Sequence, residues 1–387
     1  MAEASFIPYG TQWIADDDIA AVVSVLRGDY LTQGPYVQAF EEAIAEYVGA
    51  RYCVAFCNAT AALQCAVNAL GIPSGFEGIT STNTFVASAN CMVYNRLKPV
   101  FADIDPQTFN VTADTILPHL NIRTKVIIPV HFAGQPCDMK SIFSLAKDNG
   151  CFVIEDAAHA IGSLYADGSR VGNCKYSEMT VFSFHPVKTI TTGEGGAVTT
   201  NDANLYQKLL FLRSHGITKD LKLLSQLPGP WYYEQQELGY NFRITDLQCA
   251  LGVQQLKKLD EFKKRRRDII LSYNDELSPL SNVTIPFELE GLDSCFHLYV
   301  LQIDFTAVGL NRSCVMEALR SRGVGSQVHY IPVHTQPWYQ KMYGYSWGEY
   351  PVAEAYYEKT LSLPLYPKMN DADVKRVIES VREVLTA

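Results

Sequence analysis

The sequence predicts an α/β protein built around a mostly parallel sheet that is buried on both faces. Short, continuously apolar segments such as 52–56, 125–130 and 151–154 alternate with segments whose apolar residues recur at helical spacing. Strands that are apolar on both sides are typical of parallel sheets covered by helices. The chain has 387 residues, of which 48% are hydrophobic and 19% are charged. This length and composition predict an ordered globular protein with more than one lobe.

The elements of the first half follow from apolar spacing and from residues that start helices. In segment 16–27, apolar residues fall at i, i+3, i+4 and i+7 behind three aspartates, which favours a helix. The remaining predicted elements are helix 36–48, strand 52–56, helix 58–70, strand 78–81, helix 86–95, strands 99–103 and 125–130, helix 138–149, and strands 151–154, 179–184 and 196–200.

A long helical pattern at 244–277 predicts a connector into a smaller C-terminal lobe. We therefore expect a large domain over residues 1–250 and a small domain over 251–387. The small domain is predicted to contain strand 296–303, helix 312–322, strand 326–330 and helix 371–385.

Charge, cysteine spacing and apolar run length exclude several classes of function. A net charge of −9 argues against nucleic acid or an anionic membrane as partner. None of the ten cysteines stands in a CxxC pair, so neither a zinc site nor a disulfide framework is predicted. No run is long and apolar enough to span a membrane, and the N-terminus lacks a signal-peptide pattern. We therefore expect a cytoplasmic protein without a metal.

Polar residues follow three of the predicted strands, where α/β proteins place their ligands. Asn58, Ala59 and Thr60 open a helix whose free N–H groups suit a phosphate, although an ordinary Asn N-cap gives the same pattern. Asp156 ends a buried strand, where its carboxylate could hold a pyridinium nitrogen protonated. His159 could approach the same ring. A capping aspartate and a buried structural histidine are the alternatives.

Lys188 stands between strand 179–184 and the glycine-rich segment 193–196. Because glycines let the backbone approach a cofactor closely, we interpret Lys188 as the Schiff-base lysine of pyridoxal 5′-phosphate (PLP). A surface lysine is the alternative. A dinucleotide or P-loop site is disfavoured, because neither GxGxxG nor GxxxxGK[ST] occurs between a strand and a helix.

These features together resemble the fold-type I PLP enzymes. The similarity extends to the DegT/DnrJ/EryC1/StrS sugar aminotransferases over nearly the whole chain, in NATAAL at 58, TFVASAN at 84, EDAAHA at 155, FSFHPVKTITTGEGGAVTTND at 182, GYNFRITDLQCALG at 239 and QVHYIPVH at 327. YLTQGP at 30 and QVHYIPVH are especially similar to the UDP-4-amino-4,6-dideoxy-N-acetyl-β-L-altrosamine transaminases of pseudaminic acid synthesis. The resemblance implies a seven-stranded, mostly parallel sheet in the large domain and a smaller C-terminal α+β domain.

The resemblance also implies a role for individual residues at the cofactor. Lys188 would form the Schiff base, Asp156 would hold the ring nitrogen, and His159 would lie near the phenolic oxygen. The phosphate would contact Ala59, Thr60 and Ser183. Phe85 would stack on the ring, with core packing as the alternative. Asn241 would come from a neighbouring subunit, so a homodimer with a shared active site is expected.

In that branch of the family, further positions would contact the substrates. They are Tyr9, Leu31, Thr32, Arg243, Gln327, Val328, His329 and Tyr330, besides Ala59, Ser183 and Asn241. Arg243 could meet either the nucleotide pyrophosphate or the glutamate carboxylate. His334 could line the same pocket or be a loop histidine. Asp29 and Tyr30 do not keep the usual residues of that branch.

The implied reaction transfers the amino group of L-glutamate to the 4-keto group of a UDP-linked 4-keto-6-deoxy-N-acetylhexosamine, with Lys188 moving the protons. The product would be a UDP-4-amino-4,6-dideoxy sugar. TDP- or GDP-linked sugars and transfer to C3 are alternatives. Sugar 3-dehydratases of the family carry histidine in place of lysine, so Lys188 disfavours that activity. A non-catalytic PLP-binding regulator and a purely structural protein are also disfavoured.

Overall fold

The computed structural model describes residues 5–386, which form a central sheet with helices on both faces and a smaller second sheet. The strands of the central sheet are β1 Tyr52–Phe56, β2 Glu77–Ser81, β3 Lys98–Ala102, β4 Thr124–Ile128, β5 Phe152–Asp156, β6 Met179–Ser183 and β7 Gly196–Thr200. The remaining strands are β8 Ile217–Thr218, β9 Glu234–Gln235, β10 Val283–Thr284, β11 Tyr299–Ile303 and β12 Thr360–Leu363.

The helices are α1 Asp16–Leu26, α2 Pro35–Val48, α3 Ala59–Ala69, α4 Ala87–Tyr94, α5 Ala113–Ile116, α6 Met139–Asp148, α7 Ala203–Arg213, α8 Asp246–Lys257, α9 Leu259–Leu277, α10 Phe305–Val308, α11 Arg312–Ser321, α12 Pro337–Tyr343, α13 Pro351–Lys359 and α14 Asp371–Thr386. Within residues 5–386, no helix is both long and apolar enough to cross a membrane.

The central sheet has seven strands in the order β1-β7-β6-β5-β4-β2-β3. Only β7 runs antiparallel to its neighbours, β1 and β6, and every other pair is parallel. One face packs against α3, α4 and α7, and the other against α2, α6 and α8. Burial on both faces explains why these strands read as continuous apolar runs. The predicted fold class is confirmed.

The second sheet, β10-β11-β12, is antiparallel and packs with α9, α11 and α14 in a separate apolar core. Helix α8 packs against α1 and α2, whereas α9 packs against α14. The domain boundary at residue 250 stays a prediction.

Two predicted elements differ from the structure. The helix predicted over 244–277 is two helices separated at Lys258, whose N–H bonds the carbonyls of Gln255 and Leu256 in a tight turn. The Lys258 side chain is held there by Asp17 and Asp18 at 2.6 and 2.7 Å. A single helix was therefore the wrong prediction for this segment.

The strand predicted over 326–330 is also wrong, because only Gln327 pairs with another strand residue, Ser362. The backbone groups that follow are bound by side chains instead of a strand ladder. The Tyr330 N–H donates to Asn83 Oδ1 at 3.4 Å, and the His329 carbonyl accepts from Tyr356 at 2.8 Å. These contacts turn the chain toward the carboxyl ends of the central strands.

Candidate active site

A cavity of about 760 Å³ lies where β5 and β6 end and α3 begins. Ligands of open α/β sheets bind at this edge, beyond the carboxyl ends of the strands. The cavity brings together ten of the predicted site residues, from both the first half of the chain and the segment after β11. They are Tyr9, Ala59, Thr60, Phe85, Asp156, His159, Ser183, Lys188, His329 and Tyr330.

Lys188 follows β6 and lies partly buried in the cavity wall. No group within residues 5–386 accepts a hydrogen bond from its Nζ, so the amine is free to react. Burial lowers the pKa of Lys188 to about 8, and the negative charge of Asp156 opposes this shift. An amine with such a pKa can act as nucleophile, base and acid near neutral pH.

Asp156 ends β5 and is only 5% exposed. Its Oδ2 accepts from the Ser88 hydroxyl at 2.6 Å, and its Oδ1 accepts from the Ala158 N–H at 3.1 Å. Both donors fix the direction of the carboxylate. A negative charge held rigidly in this wall fits a protonated pyridine nitrogen.

The preceding residue, Glu155, is completely buried and anchors the end of β5. Burial alone raises the pKa of its carboxyl, but hydrogen bonds from its partners outweigh burial and lower the pKa. The Cys137 N–H donates to His131 Nδ1 at 3.1 Å, so His131 Nε2–H donates to Glu155. The four donors to Glu155 are His131 at 2.8 Å, Ser177 at 2.5 Å, Thr180 at 3.0 Å and Tyr165.

The N-terminus of α3 forms the anion-binding end of the cavity. Asn58 Oδ1 accepts from the Ala61 N–H at 2.9 Å, so Asn58 is the N-cap of α3, as the alternative interpretation of this segment proposed. The N–H groups of Ala59 and Thr60 have no acceptor within the described residues. A Cβ at position 196 would lie 2.6 Å from the Ala59 nitrogen, so only glycine lets β7 lie this close.

The hydroxyls of Thr60 and Ser183 line the same end, and neither has a hydrogen-bond partner among residues 5–386. The free N–H groups and the two open hydroxyls can donate hydrogen bonds to a phosphate, and the dipole of α3 favours its negative charge. Together with Lys188 and Asp156, these groups fit PLP at its phosphate, its aldehyde and its ring nitrogen.

His159 lies beside Lys188 and is tied to Tyr330. Its Nδ1 accepts from the Ala133 N–H at 3.3 Å, so its Nε2–H donates to the Tyr330 hydroxyl at 3.0 Å. Burial, and then the charges of Lys188 and His329, hold the pKa of His159 well below its usual value. His159 is therefore a neutral imidazole at physiological pH.

Phe85 is 57% exposed at the edge of the cavity, with its ring centroid 6.4 Å from that of Tyr330. The alternative that Phe85 packs in the core is therefore wrong. An exposed aromatic face at the cavity is consistent with stacking on a planar ring.

Six predicted site residues lie outside the cavity of a single chain: Leu31, Thr32, Asn241, Arg243, Gln327 and Val328. Thr32 pairs with Thr245, and the Leu31 carbonyl accepts from the Asp246 N–H at 3.0 Å. Asn241 is exposed, and Arg243 lines a separate depression. The expectation that Asn241 serves a neighbouring subunit stays a prediction.

His334, considered as a cavity residue, is completely buried elsewhere. Its Nδ1 lies 2.6 Å from Thr82 Oγ1 and its Nε2 lies 3.1 Å from Glu354 Oε1. Both ring nitrogens are thus used in packing, so His334 is structural.

Two further residues at this site escaped sequence reasoning, Ser88 and His297. Ser88 stands in the segment TFVASAN, but nothing in the sequence shows that its hydroxyl points at Asp156. His297 lies just before β11, with its ring centroid 4.5 Å from that of His159. A single histidine ahead of a buried strand does not by itself predict a residue of the active site. Across residues 5–386, no group of three or more His, Cys, Asp or Glu side chains is placed to hold a metal.

Comparison with known proteins places this geometry among sugar aminotransferases. The DegT/DnrJ/EryC1/StrS aminotransferase family matches residues 12–382. The spore coat polysaccharide biosynthesis protein SpsC of Bacillus subtilis is 42% identical over 381 residues, covering 98% of this chain and 97% of SpsC.

Solved structures agree with this match over nearly the full length. Helicobacter pylori PseC, an aminotransferase involved in the biosynthesis of pseudoaminic acid, superposes with a TM-score of 0.92 and 32% identity, covering 99% of this chain and 100% of PseC. The PMP form of the sugar aminotransferase Spr1654 from Streptococcus pneumoniae gives a TM-score of 0.91 and 30% identity, covering 98% and 99%.

Proposed function

The chain belongs to the DegT/DnrJ/EryC1/StrS aminotransferase family, and we propose that it transfers the amino group of L-glutamate to the 4-keto group of a UDP-linked 4-keto-6-deoxy-N-acetylhexosamine. The protein is a PLP-dependent sugar aminotransferase of fold type I. The proposed product is a UDP-4-amino-4,6-dideoxy sugar of a pathway that resembles pseudaminic acid synthesis. We place the reaction in the cytoplasm.

One observation carries the proposal: the free amine of Lys188 opens into the same cavity as the Asp156 carboxylate and the unbonded N–H groups of Ala59 and Thr60. When bound, PLP supplies the electron sink that makes the hydrogen next to the amino group removable. We assign to Lys188 the covalent attachment of the cofactor. Its Nζ would take up and return the proton of the amino-acid α-carbon, for which a pKa of about 8 is suited.

The other residues orient the cofactor and exclude water. The Asp156 carboxylate, fixed by Ser88, would hold the proton on the ring nitrogen. The Ala59 and Thr60 N–H groups and the Ser183 hydroxyl would bind the phosphate. His159, held by Tyr330, would bind the phenolic oxygen, and Phe85 would stack on the ring.

The sugar part of the proposal rests on Tyr9, His329 and Tyr330, which line the cavity. The similarity to PseC supports a pseudaminic-type sugar. In the proposed homodimer, Asn241 would complete the phosphate site of the neighbouring subunit, and Arg243 would meet the nucleotide pyrophosphate or the glutamate carboxylate. Leu31, Thr32, Gln327 and Val328 would contact the sugar nucleotide only after such assembly or on substrate binding.

A different nucleotide sugar is the second candidate. This chain is 42% identical to SpsC, a spore coat polysaccharide biosynthesis protein, and only 32% identical to PseC. TDP- or GDP-linked 4-keto sugars and C3-keto sugars belong to this alternative.

A substrate screen distinguishes the two candidate acceptor sugars. The holoenzyme is incubated with L-glutamate and UDP-, TDP- or GDP-4-keto-6-deoxyhexoses, 2-oxoglutarate is quantified, and the amino sugar is identified by NMR. We expect turnover with the UDP-linked N-acetyl sugar and an amino group at C4. Turnover only with a TDP- or GDP-linked sugar, or amination at C3, would contradict the proposed acceptor.

A further inference from the structure

His297 is a buried histidine in the wall of the Lys188 cavity whose ring has no hydrogen-bond partner in the described chain. It is 4% exposed and lines the cavity beside His159, with ring centroids 4.5 Å apart. Its Nδ1 is completely enclosed and unbonded. No side chain or carbonyl of residues 5–386 bonds Nε2 either.

The other buried histidines are different. Each of the four has at least one ring nitrogen in a hydrogen bond with the protein: His131 with Glu155, His159 with Tyr330, His329 with Ser362 and His334 with Thr82. In His297 the enclosed Nδ1 cannot reach a ligand, so Nε2 is the nitrogen that is left to bond one in the cavity.

The surroundings of His297 favour an anionic ligand. No arginine of the described chain lines the cavity, and its lining includes the imidazoles of His297 and His329, whereas the N–H of His159 is already bound to Tyr330. The Asp156 carboxylate is already bound by Ser88 and Ala158, and Glu194 is exposed. A neutral imidazole still offers one N–H donor.

The proximity of Lys188 selects among the possible anions. Lys188 and His297 line the same cavity, and the charge of Lys188 is, after burial and His159, among the causes that lower the pKa of His297. In an amino acid the α-carboxylate is attached to the same carbon as the reacting amino group. A group that binds this carboxylate must therefore lie beside the lysine.

We infer that His297 donates a hydrogen bond to the α-carboxylate of the amino donor during the first half of the reaction. This inference rests on the proposed function, because it presumes an amino-acid donor at Lys188. It assigns His297 to the donor and not to the sugar.

The two half-reactions separate the donor from the sugar. His297→Phe keeps a buried ring but removes both nitrogens. In the holoenzyme, L-glutamate is titrated while the spectrum of the bound cofactor reports the first half-reaction. We expect the apparent Kd for glutamate to rise about tenfold or more, as for the loss of a hydrogen bond to a charged group. The second half-reaction, started from the aminated cofactor and the keto sugar, should keep its KM.

Thermal unfolding distinguishes this role from a structural one. Because nothing in the described chain bonds the His297 nitrogens, His297→Phe should keep or raise the Tm. His119→Phe is the matched control. His119 lies outside the cavity, with its ring centroid 6.2 Å from that of Tyr350, and its replacement should leave glutamate binding unchanged.

An unchanged Kd for glutamate in His297→Phe would overturn the inference. A lowered Tm with equal losses in both half-reactions would overturn it as well, by showing a structural role. If the wild-type holoenzyme does not react with glutamate, the donor in the proposed function is wrong. The same titration is then made with the amino acid that the enzyme accepts, since the α-carboxylate is common to all of them.

Discussion

The hydroxyl of Ser88 lies 2.6 Å from Oδ2 of Asp156 and joins α4 to the end of β5. Ser88 Oγ also lies 2.8 Å from Thr84 Oγ1, so the serine itself is held in place. The carboxylate proposed to face the ring nitrogen is thus oriented by a neighbouring helix as well as by its own strand.

Ser88→Ala should therefore reduce kcat without removing the cofactor. A hydrogen bond to a charged group contributes about 1.5–3 kcal/mol, and 1.4 kcal/mol corresponds to a factor of about ten. We expect kcat to fall about tenfold or more, measured by 2-oxoglutarate release. Ser272→Ala, on the exposed face of α9, is the control and should be neutral. A kcat for Ser88→Ala equal to that of the wild type would show that Asp156 needs no such support.

The lowered pKa of Lys188 predicts a pH-dependent stability in the cofactor-free protein. Between about pH 8 and pH 10.5 the unfolded state keeps a proton on this lysine that the folded state has lost, so stability rises with pH. Lys188→Met should be more stable than the wild type below pH 8. This advantage should shrink toward pH 10.5, as measured by urea unfolding.

Lys264→Met, on the exposed face of α9, is the control for that series. Its stability difference from the wild type should stay constant with pH. An advantage of Lys188→Met that does not change between pH 7 and pH 10.5 would mean that burial does not perturb this amine.

Gly196→Ala should damage the anion-binding end of the cavity. The added Cβ would lie 2.6 Å from the Ala59 nitrogen, so α3 must move away from β7. Such overpacking costs about 1–3 kcal/mol. We expect a lower Tm for the cofactor-free protein and weaker binding of PLP, measured by equilibrium dialysis. Gly28→Ala, with its nearest contact at 3.4 Å, should change neither. Wild-type PLP affinity in Gly196→Ala would argue against phosphate binding at α3.

Mixing two inactive variants tests the shared active site. If Asn241 completes the site of the neighbouring subunit, a heterodimer of Lys188→Ala and Asn241→Ala contains one site with both residues intact. Equal mixing after subunit exchange should restore about a quarter of wild-type activity, because half of the dimers are mixed and each has one intact site. No recovery, with heterodimers verified by mass spectrometry, would place Asn241 in its own chain's site.

Much of the fold was predictable because strands that are buried on both faces of a sheet are continuous apolar segments in the sequence. The uninterrupted apolar runs that became β4, β5 and β6 required helices on both sides of the sheet, and residues at their ends, Asp156 and Lys188, were necessarily neighbours. The resemblance to a known family then supplied the strand number and the cofactor.

Other features depended on contacts between residues that are distant in the chain. The segment 326–330 has strand-like composition, but Asn83 and Tyr356 bind its backbone groups and turn it into the cavity. The role of Ser88 depends on Asp156, which is 68 residues away. His297 is identified as a candidate ligand-binding residue only because its ring has no hydrogen-bond partner within residues 5–386, and no sequence pattern shows this.

The most direct test of the central claim is the combined absorbance and turnover of Lys188→Ala. We expect loss of the visible absorbance band of covalently attached PLP and loss of 2-oxoglutarate release, while the cofactor-free protein stays folded and unfolds cooperatively. Retained turnover at the wild-type rate, with the same absorbance band, would contradict the assignment of Lys188 as the reacting amine.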